Sequence, residues 1–313
     1  MRRVAIILAL ILSCTALRAQ DVVCDTFHYA TTDNADLYLD RYMVMEGGDA
    51  RPCMIFAFGG GFVQGVRNHE YYARYFDSLA RAGIVVVSID YRLGLRNVQK
   101  VKGIRGMIDV MTRAVDIAVE DMYTATNYVI ANAEAWGVDT TKIMISGSSA
   151  GAITAVQAEW KRCNGAKAAE VLPEDFRYAA VVSCAGAIYS TNGKPRFKTE
   201  PAPMLLFHGS SDSNVPYNKS SIFGIGFYGS NYIARQLDKI GAPYHFYSAE
   251  YVDHSMAGTP LWYQCELIKQ FISDYVIEKR RLQQHTTMSD LEGEKRPTRF
   301  TPRDYLRTNY KRR

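Results

Sequence analysis

The chain is poor in the features that assign a class at a glance. It has one long apolar run, Val4 to Leu12, and nine residues fall short of the roughly 20 that a helix needs to cross a bilayer. No other segment comes close, which argues against a membrane-spanning body. Six cysteines occur and none stands in a C-x-x-C pair, so metal-ligand spacing is missing. Five of them lie beyond residue 19: Cys24, Cys53, Cys163, Cys184 and Cys265. Their odd number leaves at least one thiol free or paired between chains, and no pairing follows from the sequence. No internal repeat and no Pro/Gly/Ser-rich linker divides residues 25–277, which points to one domain. Excess charge of one sign is missing too. The formal net charge is +5, but Arg2, Arg3 and Arg18 sit at the start, and residues 278–313 hold 11 Lys/Arg against 5 Asp/Glu. Removing those three arginines and the +6 of the last segment leaves −4 for residues 19–277. Such a mildly acidic body has no electrostatic footprint for nucleic acid.

The ends of the chain carry their own signals. Met1-Arg2-Arg3, the apolar run and then "SCTALRAQ", with small Ala19 before Gln20, read as a secretory signal peptide over residues 1–19. That predicts an exported protein, periplasmic or extracellular, without stable membrane insertion. A lipoprotein signal ending at Cys14 is the competing reading. Export permits disulfides. The basic segment 278–313 lacks apolar periodicity and reads as a flexible tail.

Between the ends, two periods alternate. Residues 36–44, 53–60, 84–90, 142–146, 179–184, 204–208 and 244–251 read as strands. Ile108, Met111, Val115, Ala118, Met122, Ala125 and Val129 recur at steps of three and four, one apolar face of a long helix that Gly137 follows as a C-cap. Residues 71–82, 150–161, 232–240 and 261–277 read as further helices. Several strands are apolar without alternation, as in a parallel sheet covered on both faces. Alternating β and α segments therefore predict an α/β domain over residues 20–277.

The chemistry centres on "KIMISGSSAG", residues 142–151. Gly147-Ser148-Ser149-Ala150-Gly151 is G-x-S-x-G with a strand before it and a helix after it, the setting in which a strained turn presents a serine as nucleophile. A glycine-rich turn without function is the bland alternative. Serine attacks only when a base takes its proton. Of six histidines, His254 in "YVDHSMAG" alone lies in a loop directly after the last strand. The imidazole needs a carboxylate to hold its tautomer. Asp212 in "HGSSDSNVPY" lies just beyond a strand; Asp253 is the rival. Ser149, Asp212, His254 is the order nucleophile, acid, base. "FAFGGGF", residues 56–62, places three glycines after an early strand, where backbone N–H groups can approach an oxyanion unobstructed. Gly60, Gly61 and Ala150 are the expected donors.

With those residues in view, the chain resembles an α/β-hydrolase of the carboxylesterase and hormone-sensitive-lipase-like group. "FGGGF", "SIDYR" (88–92), "GSSAG", "HGSSDSNVPY" and "DHS" run in order over about residues 53–275. The resemblance implies a mostly parallel central sheet flanked by helices on both faces, and a serine esterase that needs no metal or organic cofactor. It implies small or acetyl esters as substrates, carbohydrate esters among them. The chain departs from the pattern at Phe58, where members often carry His, at Ser148, where many are acidic, and at Ala152, where many have a second glycine. A peptidase or thioesterase would use the same triad, and a catalytically silent hydrolase-fold binding protein is the alternative from another class. The stretch "SIFGIGFYG", residues 221–229, is apolar and glycine-rich where a turn would be polar. Its glycines argue against a regular helix or strand. Phe62, Phe223, Phe227 and Tyr228 are the candidate lining of the substrate pocket.

Overall fold

The computed structural model describes residues 21–45, 50–98, 101, 103–298 and 300–301. The predicted signal peptide, with Cys14, lies outside them. The chain enters through an antiparallel pair, β1 (Val22–Thr32) and β2 (Ala35–Val44), followed by β3 (Arg51–Ala57), α1 (Ala73–Arg81) and β4 (Val85–Ile89). The long α2 (Gly103–Ala131) and the short α3 (Ala133–Trp136) lead to β5 (Val138–Ser148) and α4 (Ala150–Cys163). Then come β6 (Ala180–Cys184), β7 (Ala187–Ser190), β8 (Met204–Gly209), β9 (Lys219–Ile222), β10 (Ile225–Gly229) and α5 (Ser230–Lys239). Finally β11 (Tyr244–Ala249), α6 (Thr259–Tyr263), α7 (Cys265–Phe271) and β12 (Gln283–Met288) complete the fold.

Nine strands form one sheet in the order β1-β2-β4-β3-β5-β6-β8-β11-β12. All pairs from β4 through β12 are parallel, and β1 and β2 join antiparallel. Cys53 to Ala57 are all buried, as are all five residues of β4 and of β6. Since alternate side chains point to opposite faces, both faces of the sheet are covered. This is the mostly parallel α/β architecture that the continuous apolar runs predict. The seven expected strands appear as β2, β3, β4, β5, β6, β8 and β11. The face expected of α2 is buried from Met111 to Val129, and Gly137 caps α3 at φ 61. That face also buries Asp121, whose carboxylate accepts from Nε of Arg92 in the "SIDYR" segment at 2.9 Å.

Three expectations need correction. Residues 278–313 do not read through as a flexible tail: Gln283 to Met288 form β12, which pairs in parallel along the whole of β11. Five of its six residues are exposed, so no apolar alternation announces it; its backbone hydrogen bonds place it at the sheet edge. Further on, the C=O of Arg296 accepts from Ser211 Oγ at 3.0 Å, and its guanidinium pairs with Asp253. Nor is "SIFGIGFYG" an irregular turn: β9 and β10 form a hairpin that joins β7 in a three-stranded antiparallel sheet. The two loop residues, Phe223 and Gly224, have φ 50 and 84, the positive pair that makes a two-residue hairpin loop. Gly226 sits inside β10 because a Cβ there would meet the C=O oxygen of Ser220 at 2.1 Å. The last predicted helix, 261–277, is divided into α6, α7 and a π-type turn over Ile272–Ile277.

Candidate active site

β5, β8 and β11 are parallel, and each ends at the same edge of the sheet, where open α/β sheets gather their functional groups. Ser149 follows β5 directly. Asp212 lies three residues beyond β8, and His254 five residues beyond β11. The structure brings the three together. Ser149 Oγ is 2.8 Å from His254 Nε2, and His254 Nδ1 is 2.7 Å from Asp212 Oδ2. Asp212 is buried and accepts two backbone N–H groups on Oδ1, from Asn214 at 2.8 Å and Val215 at 2.9 Å. A carboxylate only accepts, so His254 Nδ1 carries the hydrogen and Nε2 is left to accept from the serine.

Ser149 takes φ 50 and ψ −114, a strained backbone for a residue with a side chain. The flanking glycines explain why the turn can exist. A Cβ on Gly147 would stand 2.2 Å from the carbonyl carbon of Gly151, and one on Gly151 would stand 2.0 Å from the oxygen of Ala57. The turn thus presses α4 against both β5 and β3. Two further bonds tie the elbow down: Ser149 N–H donates to the Cys184 C=O at 2.9 Å, and Ser148 Oγ donates to the Ala257 C=O at 2.7 Å. The second joins the elbow to the 3-10 turn His254–Ala257 that carries the base.

The glycine loop lies against the same point. A Cβ on Gly59 would be 3.3 Å from Ser149 Cβ. Gly60 and Gly61 have φ 126 and 64, open to glycine and strained for other residues. Ala150 is the first residue of α4, where an N–H has no intrahelical acceptor. Among the described residues, no intramolecular acceptor is recorded for the amides of Gly60, Gly61 or Ala150. Phe58, the departure from the expected His, is held otherwise. Tyr91 Oη of "SIDYR" donates to the Phe58 C=O at 2.8 Å, and the two rings lie 4.6 Å apart. Tyr72 Oη accepts from Gly59 N–H at 3.1 Å. The motif therefore shapes the loop through its tyrosine, a role that reading the sequence alone does not reveal.

Electrostatics separate the two candidate acids. Burial would raise the Asp212 carboxyl, but hydrogen bonds from His208 and His254 outweigh it and hold the group far below the usual carboxylate range. Asp253 is also lowered, against burial, by Ser255 and Arg296. Its Oδ1 accepts from Ser255 N–H at 3.0 Å, and its other oxygen faces Arg296, so it turns away from the imidazole. The remaining histidines stand elsewhere: His28 in exposed β1, His69 at the start of the 3-10 turn Glu70–Tyr72, His245 in β11 against Thr286 and His285 on β12. His208 lies beside Asp212. All five described cysteines are free.

Two of the four pocket candidates are corrected. Phe223 is 100% exposed at the hairpin tip and lines nothing. Tyr228 is 0% exposed, with its hydroxyl donating to Gly224 C=O and its ring on Tyr232. Composition alone marks this stretch as apolar but not which way each strand residue points. Phe62 is buried against Tyr91, and Phe227 keeps a narrow exposed edge beside Tyr189, ring to ring at 4.9 Å. A cavity of about 490 Å³ opens elsewhere, lined by Cys163, Leu172, Phe176 and Arg177 among others. It lies at the far end of α4, about 20 Å along the helix from Ser149. No helix among the described residues is long and apolar enough to cross a membrane.

Known proteins resemble the chain over parts of its length. The BD-FAE family matches residues 39–194, a span that includes the glycine loop and the elbow and stops before Asp212 and His254. Esterase B1 of Culex pipiens is 30% identical over 105 residues, covering 32% of this chain and 17% of its own length. Juvenile hormone esterase of Heliothis virescens is 28% identical over 161 residues, covering 50% of this chain and 25% of its own. The chain thus spans a quarter or less of these curated relatives. Among solved structures, Thermogutta terrifontis esterase 2 superposes with a TM-score of 0.58 at 25% identity, over 80% of this chain and 93% of that one. A sheet of this order, with its serine turn at the carboxyl edge, gives the chain the α/β-hydrolase fold, and esterases are among the proteins it is similar to.

Proposed function

We propose that the protein hydrolyses carboxylic esters through an acyl-enzyme on Ser149. The observation that carries this reading is the unbroken hydrogen-bonded chain from Ser149 Oγ through His254 to Asp212. His254 Nε2 takes the hydroxyl proton as Oγ bonds to the ester carbon. The carbonyl oxygen, now negative, is received by the N–H groups of Gly60, Gly61 and Ala150. His254 then gives its proton to the departing alcohol oxygen, and the acyl group stays on Ser149. Water repeats the cycle, losing its proton to His254, and leaves the acid as product. Asp212 stays ionised throughout and stabilises the imidazolium. No step needs a metal or organic cofactor.

For the substrate we infer a small ester, acetyl or a little longer, with carbohydrate esters within the class. Thermogutta terrifontis esterase 2 has been solved with propionate and with butyrate bound. An exposed ring and a half-buried one also flank His254: Tyr71 Oη packs on Gly258, the residue after the His254 turn, and Tyr71 pairs with the half-buried Trp262 at 5.5 Å. Such a ledge offers a flat apolar face to a ring-shaped alcohol. Export, with cleavage before Gln20, belongs to the same proposal; sequencing the N-terminus of protein from its native host tests it, and an intact Met1 or a lipidated Cys14 refutes it.

Turnover of p-nitrophenyl acetate by purified variants tests the chemistry. Ser149→Ala and His254→Ala should each lose on the order of 10⁴-fold or more with the fold intact. Asp212→Asn should lose most activity and Asp253→Asn little. A larger loss in Asp253→Asn reassigns the acid, and near-parental turnover in Ser149→Ala ends the proposal.

A further inference from the structure

His208 is the last residue but one of β8, four residues before Asp212, and its side chain is 0% exposed. The catalytic steps above make no use of it. An imidazole buried this deeply is costly unless its nitrogens are bonded. Both are. Nδ1 lies 2.8 Å from Ser230 Oγ, while Nε2 lies 3.2 Å from the Val215 C=O and 3.3 Å from Asp212 Oδ2.

The hydrogens follow from the partners. A carbonyl and a carboxylate only accept, so Nε2 carries the hydrogen. The Ser230 hydroxyl has two acceptors in reach, His208 Nδ1 at 2.8 Å and the Gly186 C=O at 3.4 Å. The shorter contact takes its hydrogen, so Nδ1 accepts. Ser230, the first residue of α5, thereby selects the tautomer that donates toward Asp212.

Asp212 Oδ2 therefore receives two imidazole N–H groups, His254 at 2.7 Å and His208 at 3.3 Å. We propose, on the triad reading above, that His208 is a positioning residue: it shares Oδ2 with His254, fixes the carboxylate's orientation and moderates its hold on the catalytic imidazolium. Each donor spreads the carboxylate's charge, so a second donor weakens the first ion pair. Without His208, Asp212 would stabilise protonated His254 more strongly, and the base would stay protonated to higher pH. The carboxylate would also lose one of its restraints. Among the described residues, the titratable groups recorded against His208 are Asp212, through which it meets His254, and Tyr217, whose ring stands edge-on to it at 5.7 Å. The Tyr217 hydroxyl is bonded to Ser248 on β11 at 2.7 Å, so it is not the partner of either imidazole nitrogen.

The test compares His208→Leu, His208→Gln and Ser230→Ala with the parent protein. Two readouts are taken: the pH profile of kcat/KM on p-nitrophenyl acetate, and the NMR titration of the His254 ring in a Ser149→Ala background. His208→Leu should lower kcat about tenfold or more with KM little changed, and move the acid limb upward by about half a pH unit or more. His208→Gln, which keeps an N–H donor, should recover most of both. An unmoved limb and an unmoved His254 titration in a folded His208→Leu overturn the proposal and reduce His208 to packing. If His208→Leu does not fold, Ser230→Ala carries the test by itself: displacement upward supports the proposal and an unmoved titration overturns it. The NMR arm needs no turnover, so a protein inactive on every ester would refute the proposed function and still report on this coupling.

Discussion

Ser149 and Phe223 stand at the same backbone angle, φ 50, and almost everything else about them differs. Ser149 turns over the buried edge of the main sheet, with its flanking glycines pressed on the backbones of α4 and β3. Phe223 tips a hairpin whose β9 strand has no fully buried residue. The first conformation is imposed from outside by packed neighbours, and the second is made locally by a two-residue loop. A left-handed residue with a side chain costs roughly 1–2 kcal/mol in either place. In the elbow that cost places a hydroxyl at 2.8 Å from an imidazole. At the tip it places an aromatic ring in water. Identical local strain is thus no guide to function until the surroundings that hold it are known.

Glycine replacements sharpen the contrast most. In Gly151→Ala the new methyl would meet Ala57 O at 2.0 Å and Phe58 O at 2.6 Å, backbone atoms of the last residue of the buried β3 and of the residue after it. Neither can move without displacing the glycine loop, so unfolding free energy should fall by about 3 kcal/mol, and ester turnover should largely vanish. Gly226→Ala brings a similar clash, 2.1 Å to Ser220 O, but its partner is the exposed β9, which is free to splay. Its cost should stay near 1 kcal/mol, with activity retained. Urea unfolding of both proteins decides. Equal costs would mean that the elbow is no more tightly determined than the hairpin.

Acid should weaken the site end selectively. Asp212 has its folded carboxyl held below the unfolded value, by hydrogen bonds from the two histidines and against burial. Its contribution to stability is therefore complete above the unfolded carboxylate value of about 3.9 and is lost as pH falls through the lower folded value. Below that point the stability gap between the parent and Asp212→Asn should shrink as the carboxylate takes a proton. A gap that keeps its full size through the lowest pH at which both proteins fold would show that the carboxylate is not the ionised partner of the two imidazoles.

The sequence reveals the central strands because residues buried on both faces leave an uninterrupted apolar run, as in β3, β4 and β6. It hides β1, β9 and β12, whose many exposed positions erase the period. Ser149 is legible because strand, glycines and helix occur together, and Asp212 and His254 because each follows a strand in the right order. His208 is passed over for the opposite reason: its place at a strand end removes it as a base, and a spacing of four that runs from a strand into a turn does not announce the carboxylate it meets. The glycines of residues 221–229 mislead, since Gly224 and Gly226 permit the hairpin that glycine ordinarily argues against. Apolar content locates that hairpin beside the sheet but does not tell the inward Tyr228 from the outward Phe223.

Of the hairpin's aromatics, Phe227 is the one that stands neither at the exposed tip nor fully buried, and so the one to test as a pocket residue. Its ring packs on Tyr189, whose hydroxyl reaches the Ile108 C=O in the first turns of α2 at 3.4 Å. Phe227→Leu retains apolar volume and should change the ratio of kcat/KM for butyryl over acetyl esters by up to about tenfold, within the 1–3 kcal/mol of a methylene-sized contact. An unaltered chain-length profile at parental stability removes Phe227 from the pocket and leaves the hairpin a purely structural appendage.

The smallest effect should come from the tip itself. Phe223-Gly224 fills a two-residue loop in which both φ angles are positive, 50 and 84. Asn-Gly is the pair best suited to that loop, since asparagine tolerates the left-handed region and phenylalanine does not. The ring touches nothing that would offset its strain, being fully exposed. Phe223→Asn should therefore stabilise the protein by about 1 kcal/mol, seen as a rise of roughly 2–4 °C in Tm, with ester turnover unchanged for every chain length. Should Tm fall, or should the longer esters lose kcat/KM, the ring must find a partner during unfolding or catalysis. Phe223 would then be a contact held in readiness, and the resemblance between the two strained residues would extend to function.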